Sequence, residues 1–203
     1  MKRITAISLG LLLSLSAAPA FADDLNPPEW RGAEGSTMQA WEFSTDANPA
    51  TPDVDLNPYG VASLFVEGSF PTTRWKSEDL GHAGVWKFED FMLLDVPNNP
   101  EPNEYKLIWL QLTYYADETN EPEVLTIPEE TSVEVVNKVP VDDNYYHVTF
   151  LLTLMPNPAS EQIYIMPRNC TLYVDELVLD TLCAPEPASV LLLAVAGLLI
   201  RRR

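Results

Sequence analysis

The chain is 203 residues long, with 12 Lys and Arg against 30 Asp and Glu, 18 Pro, 8 Gly, 2 Cys and 2 His. That length suits one domain with short tails, and a formal charge of −18 excludes the concentrated basic surface that a nucleic-acid partner requires. Two Cys and two His cannot furnish a multi-ligand zinc site or a disulfide-dense scaffold, and no glycine-rich run of the common nucleotide-binding kinds is present.

Residues 1–22 have the composition of a secretory signal. Lys2 and Arg3 supply a positive start, Ile7 to Leu15 an apolar stretch, and Ala20-Phe21-Ala22 a small-x-small cleavage pattern that places the mature start at Asp23. Ala18-Pro19-Ala20 offers a second register. Export through the Sec translocon is the expectation, with a folded body over residues 23–183.

That body reads as strands almost throughout, and no window of a dozen residues carries a helical period. Asp23–Ser36 and Thr45–Pro58 have loop composition, with strands expected at Met38–Ser44 and Val61–Glu67 on either side of the second. Gly81-His82-Ala83-Gly84 reads as a loop, followed by strands at Gly84–Phe88 and Phe91–Val96 and then by the breaker-rich stretch Pro97–Asn103. Tyr105–Tyr115 is a strand apolar on both faces, with Ile108, Leu110 and Leu112 against Leu107 and Trp109, so it should lie centrally or expose a working face. Asp117–Glu123 reads as an exposed acidic loop. Strands follow at Val133–Val139, Tyr146–Met155, Gln162–Met166 and Thr171–Leu182. In Tyr146–Met155, Val148, Phe150, Leu152 and Leu154 alternate with His147, Thr149 and Thr153, which puts His147 on the surface or in a groove. Eight to ten short strands predict an all-β, antiparallel β-sandwich, jelly-roll-like.

The last strand breaks its own alternation. Leu172 and Val174 share one parity, Leu177 and Leu179 the other, so a β-bulge at Asp175-Glu176 is needed to keep both pairs in one core. Cys170 and Cys183 flank this strand; an extended chain of that length holds them about 40 Å apart, far beyond the roughly 7 Å a disulfide allows. Tyr173-Val174-Asp175-Glu176-Leu177-Val178-Leu179 also resembles the closing strand of galactose-binding-like sandwiches, a fold common among carbohydrate-binding modules. The resemblance implies a structural calcium with Asp175 as a ligand.

Residues 184–203 combine Pro185-Glu186-Pro187, the apolar run Ala188 to Ile200, and Arg201-Arg202-Arg203. Thirteen apolar residues span about 20 Å as a helix against a hydrocarbon core of roughly 30 Å, a marginal transmembrane helix. Basic residues at both ends stay on the cytoplasmic side, so the body between them belongs on the far side of the membrane. This tail resembles the PEP-CTERM sorting signal of bacterial surface proteins. The resemblance implies an exosortase partner that cuts near Pro-Glu-Pro, in organisms that make extracellular polysaccharide. Without the signal peptide and the Arg tail, seven basic residues remain against thirty acidic ones if Glu186 is retained, a formal charge of −23.

Signs of catalysis are sparse. No G-x-S-x-G, H-E-x-x-H or C-x-x-C occurs, and among thirty carboxylates Glu129-Glu130, Asp142-Asp143 and Glu176-Asp180 can all be nominated as pairs, which makes none of them informative. Aromatic residues are plentiful instead, and Trp109, Tyr114, Tyr115, Tyr145 and Tyr146 are candidates for stacking on sugar rings. Adjacent tyrosines in a strand must send one ring to each face. The reading is an exported, non-catalytic protein of the cell surface or exopolysaccharide matrix, sorted by an exosortase. The alternatives are a carbohydrate-binding module and, third, a glycoside hydrolase or lyase.

Overall fold

The computed structural model describes residues 24–101, 103–116 and 121–184. The described residues form twelve strands: β1 (Ser36–Trp41), β2 (Val54–Asp55), β3 (Ser63–Val66), β4 (Arg74–Asp79), β5 (His82–Phe88), β6 (Met92–Pro97), β7 (Tyr105–Ala116), β8 (Glu123–Ile127), β9 (Ser132–Pro140), β10 (Tyr146–Leu154), β11 (Ser160–Met166) and β12 (Leu172–Ala184). All nine expected strands form, each within three residues of its expected bounds. β2, β4 and β8 are additional and raise the count above the expected eight to ten. β2 lies inside a stretch read as loop, is only two residues long, and exists because Gln39 and Ala40 pair with it. β4, Arg-Trp-Lys-Ser-Glu-Asp, has almost no apolar pattern and is held by its hairpin with β5. β8 is five residues between Pro122 and Pro128, and it starts at Glu123, where an acidic loop was expected to end.

Pairing is antiparallel throughout. The larger sheet runs β2-β1-β12-β7-β10-β9, with β5 also on β12 and β4 on β5; the smaller runs β3-β6-β11-β8. β12 is long enough to hold β5 through Leu172–Val174 and β1 through Leu177–Leu182 along one edge, and β7 along the other. One apolar cluster joins the sheets. It includes Leu110, Leu112, Phe150, Leu152, Leu177 and Leu179 from the larger sheet and Leu64, Leu94, Val96, Ile163 and Ile165 from the smaller. Each fully buried aliphatic side chain contributes about 1.5–3 kcal/mol, so this seam holds the molecule together.

The bulge in β12 forms where the parity break requires it. Val174 pairs with Tyr114 and Glu176 with Thr113, which leaves Asp175 as the extra residue. Leu172, Val174, Leu177 and Leu179 all reach the core as a result.

The outer face of β7 is not bare. Residues 24–35, which contain no strand, lie against it as a strap. The Asn26 backbone N–H donates to Gln111 Oε1 at 2.8 Å, its side chain donates to Thr149 Oγ1 at 3.3 Å, and its carbonyl accepts from Trp109 Nε1 at 2.7 Å. Arg31 closes the strap with a fork onto Asp180, Nε to Oδ1 at 2.6 Å and Nη2 to Oδ2 at 2.7 Å, and it also pairs with Asp24. This cover corrects the expectation for His147, which is buried at 1% exposure beside Thr113 and Gln111 rather than lying on the surface or in a groove. Cys170 and Cys183 are unpaired with each other, as the strand between them demands.

Candidate functional site

A groove of roughly 750 Å³ opens beside the β4–β5 hairpin, lined among others by Glu42, Trp75, Ser77, His82, Asp175 and Glu176. Its geometry starts from a two-residue turn. Leu80 (φ 50°) and Gly81 (φ 94°) both adopt left-handed backbone, the pattern of a type I′ hairpin turn, and they make His82 the first residue of β5 rather than part of a loop. Two residues on, Gly84 has φ 77°, and a Cβ there would sit 2.4 Å from the Phe43 carbonyl oxygen. Only glycine lets the chain after β1 come this close. Trp75 Nε1 donates to the same carbonyl at 2.8 Å, fixing the indole on the groove wall.

His82 is where three distant segments meet. Its Nδ1 lies 2.6 Å from Asp175 Oδ2, on the β12 bulge, and its Nε2 3.0 Å from Asp142 Oδ2, in the β9–β10 turn. The ring stacks on Tyr145 with centroids 3.8 Å apart and planes at 25°. Asp142 is held in turn by the backbone N–H groups of Tyr145 at 2.7 Å and Asn144 at 2.6 Å. Tyr145 donates its hydroxyl to Asp79 Oδ2 at 3.2 Å, and Asp79 pairs with Lys76.

The electrostatics follow from these contacts. Burial pulls the His82 pKa down, but the hydrogen bonds and charges of Asp142 and Asp175 overcome it and leave the pKa raised. Asp142 is lowered to about 2, first by the Tyr145 backbone N–H and then by His82 and Asn144. Burial, then the charges of Asp175 and Asp142, push the Tyr145 phenol up. With both imidazole nitrogens engaged by carboxylates, His82 ties the β9–β10 turn to the β12 bulge, and neither nitrogen is open to take a proton from a ligand. The groove sets an indole wall beside carboxylate and hydroxyl groups.

The residues expected from the sequence divide between two faces. Tyr115 and Tyr145 are neighbours (centroids 6.0 Å apart), and Tyr115 contacts Tyr173 (5.3 Å), over which Lys76 is placed 5.4 Å from the ring centre. Tyr114 and Tyr146 point the other way, 6.4 Å apart with Lys138 over Tyr146, and Tyr114 belongs to the core. Trp109 lies under the strap. The five aromatic candidates therefore do not make one exposed row. Asp175 joins the site, engaged by His82. Among the described residues no group of three or more His, Cys, Asp or Glu side chains could hold a metal ion.

No family model, curated protein or solved structure matches this chain. No helix among the described residues is long and apolar enough to cross a membrane. The cleavage residues Ala20, Ala22 and Asp23 and the sorting residues Pro185, Glu186, Pro187, Arg201, Arg202 and Arg203 lie outside the described residues. The sequence singles out neither His82 nor Trp75 as a site residue. The signal available was Leu80-Gly81, a two-residue turn that would have put His82 on a strand, next to the bulge it had already located at Asp175.

Proposed function

We propose that this chain is a non-catalytic protein of a bacterial cell surface or extracellular matrix, exported by its N-terminal signal and processed by an exosortase. The observation that carries this reading is the position of the last strand. β12 is described through Ala184, directly before Pro185-Glu186-Pro187 in the sequence, so a cut at that motif removes the apolar run and the Arg cluster and leaves every described strand whole. Intact-mass and C-terminal peptide analysis of the protein recovered from its native host tests it. The expected chain starts at Asp23 and ends near Pro187; recovery of a chain that still carries Arg203 would overturn the processing.

A second reading, carbohydrate binding, is favoured by the groove at Trp75 and His82. The connectivity supports a jelly-roll assignment, the architecture of many glycan-binding domains: the first strand lies beside the last in β1-β12-β7-β10, and β6-β11-β8 face them. A polysaccharide array with the exported body gives the test. Trp75→Ala is expected to weaken retention about tenfold, the size of one ~1.4 kcal/mol contact, with the thermal midpoint followed as a check on folding. Binding unchanged by that substitution in a folded protein would remove the groove from consideration.

A further inference from the structure

About nine residues back along β7 from Tyr115, some 30 Å away, the core holds an ion-forming pair. Lys106 of β7 and Glu161 of β11 reach toward each other from the two sheets, Nζ onto Oε1, and both side chains are 0% exposed. Glu161 Oε2 is buried with no hydrogen-bond partner. Cys183, opposite Lys106 in the β7–β12 register, closes the side of the pair and directs its thiol to Asn98 Oδ1 at 3.1 Å. Burial is the largest influence on both groups, lowering Lys106 and raising Glu161 against their mutual attraction. Both shifts run toward the uncharged forms, the forms in which an amine attacks a carboxyl group.

We propose that Lys106 and Glu161 condense, without an enzyme, into an isopeptide bond that ties the two sheets together. The Nζ lone pair attacks Glu161 Cδ and a C–N bond forms. The tetrahedral carbon then expels its hydroxyl group, which departs with one Nζ proton as water. One amide and one water replace one amine and one acid, and no oxidant or reductant takes part. Two features favour the step. Groups locked face to face react with effective molarities that reach about 10⁵–10⁸ M, and the amide removes two ionisable groups whose burial is costly. Its place in the fold suits a staple: it spans 55 residues of the chain and joins one sheet to the other.

The experiment is intact-mass measurement of the full chain under denaturing conditions, against the mass calculated for the termini that peptide mapping finds. The expected mass is lower by about 18 Da, one water. Trypsin should fail to cut after Lys106 and release a branched peptide containing Lys106 and Glu161, and Lys106→Met should restore the calculated mass. A wild-type chain at the calculated mass, cut normally after Lys106, overturns the proposal even if the variant does not fold. A mass gain traced to a Lys106–Cys183 link overturns it equally.

Discussion

At the scale of the single residue, His82 carries a pH dependence whose sign is fixed by its neighbours. Its pKa is raised in the folded protein, so the stability it contributes is complete below its ordinary value of about 6.5 and is lost as pH rises through the raised value. Asp142 works in the opposite sense. Its pKa falls from 3.8 to about 2, so its contribution is present above 3.8 and disappears as pH falls toward 2. The clasp is therefore strongest in the mildly acidic range. His82→Asn should lower the thermal midpoint most at about pH 5–6, by the equivalent of about 1 kcal/mol, with the gap to the parent narrowing as pH passes the raised value. A gap that stays constant from pH 5 to 9 would show that the imidazole carries no charge in the clasp. Gly84 makes the same point about position without charge. Its φ and the Phe43 carbonyl 2.4 Å from any added Cβ leave one residue type for that position, although nothing in Ala83-Gly84-Val85 announces it.

At the scale of the element, the strap of residues 24–35 depends on one guanidinium. Asp180 is 0% exposed, and its burial pushes its pKa up while Arg31 pulls it back. Arg31→Ala leaves that carboxylate buried without its partner, a loss of about 3 kcal/mol. Lysine recovers little, because its single ammonium cannot reproduce the two-pronged contact. Chemical denaturation checks this, and the double variant Arg31→Ala/Asp180→Asn should regain a large part of the loss, since the neutral amide costs less to bury. If the single variant proves as stable as the parent, the strap is held by Asn26 and not by Arg31. β12 shows a different dependence on neighbours. Its bulge was legible because a fully buried strand must keep Leu172, Val174, Leu177 and Leu179 on one face, and that demand can be read from parity alone. β4 had no such demand. Its sequence is mostly charged, and it is a strand because the turn at Leu80-Gly81 returns the chain along β5.

At the scale of the whole molecule, two packed antiparallel sheets put their polar chemistry in separate regions. The His82 clasp and the groove lie at the β4–β5 hairpin, the strap covers the outer face of the larger sheet, and the Lys106–Glu161 pair sits between the sheets. The seven basic side chains of the body are few enough that their use is informative. Among the described residues Arg31, Lys76, Lys106 and Lys138 all lie against carboxylates, and acidic side chains remain in large excess over basic ones. Nine strands, the bulge and the separation of the two cysteines followed from the sequence, because alternation, chain length and the reach of an extended backbone are local properties. The site did not follow. His82, Asp142 and Asp175 are 33 to 93 residues apart in the chain and carry no shared pattern, and nothing beside Lys106 in the sequence marks Glu161 as the group β11 brings opposite it. Alternation tells which residues leave the solvent together; it does not tell which of them meet, because that depends on the order in which the strands are laid side by side.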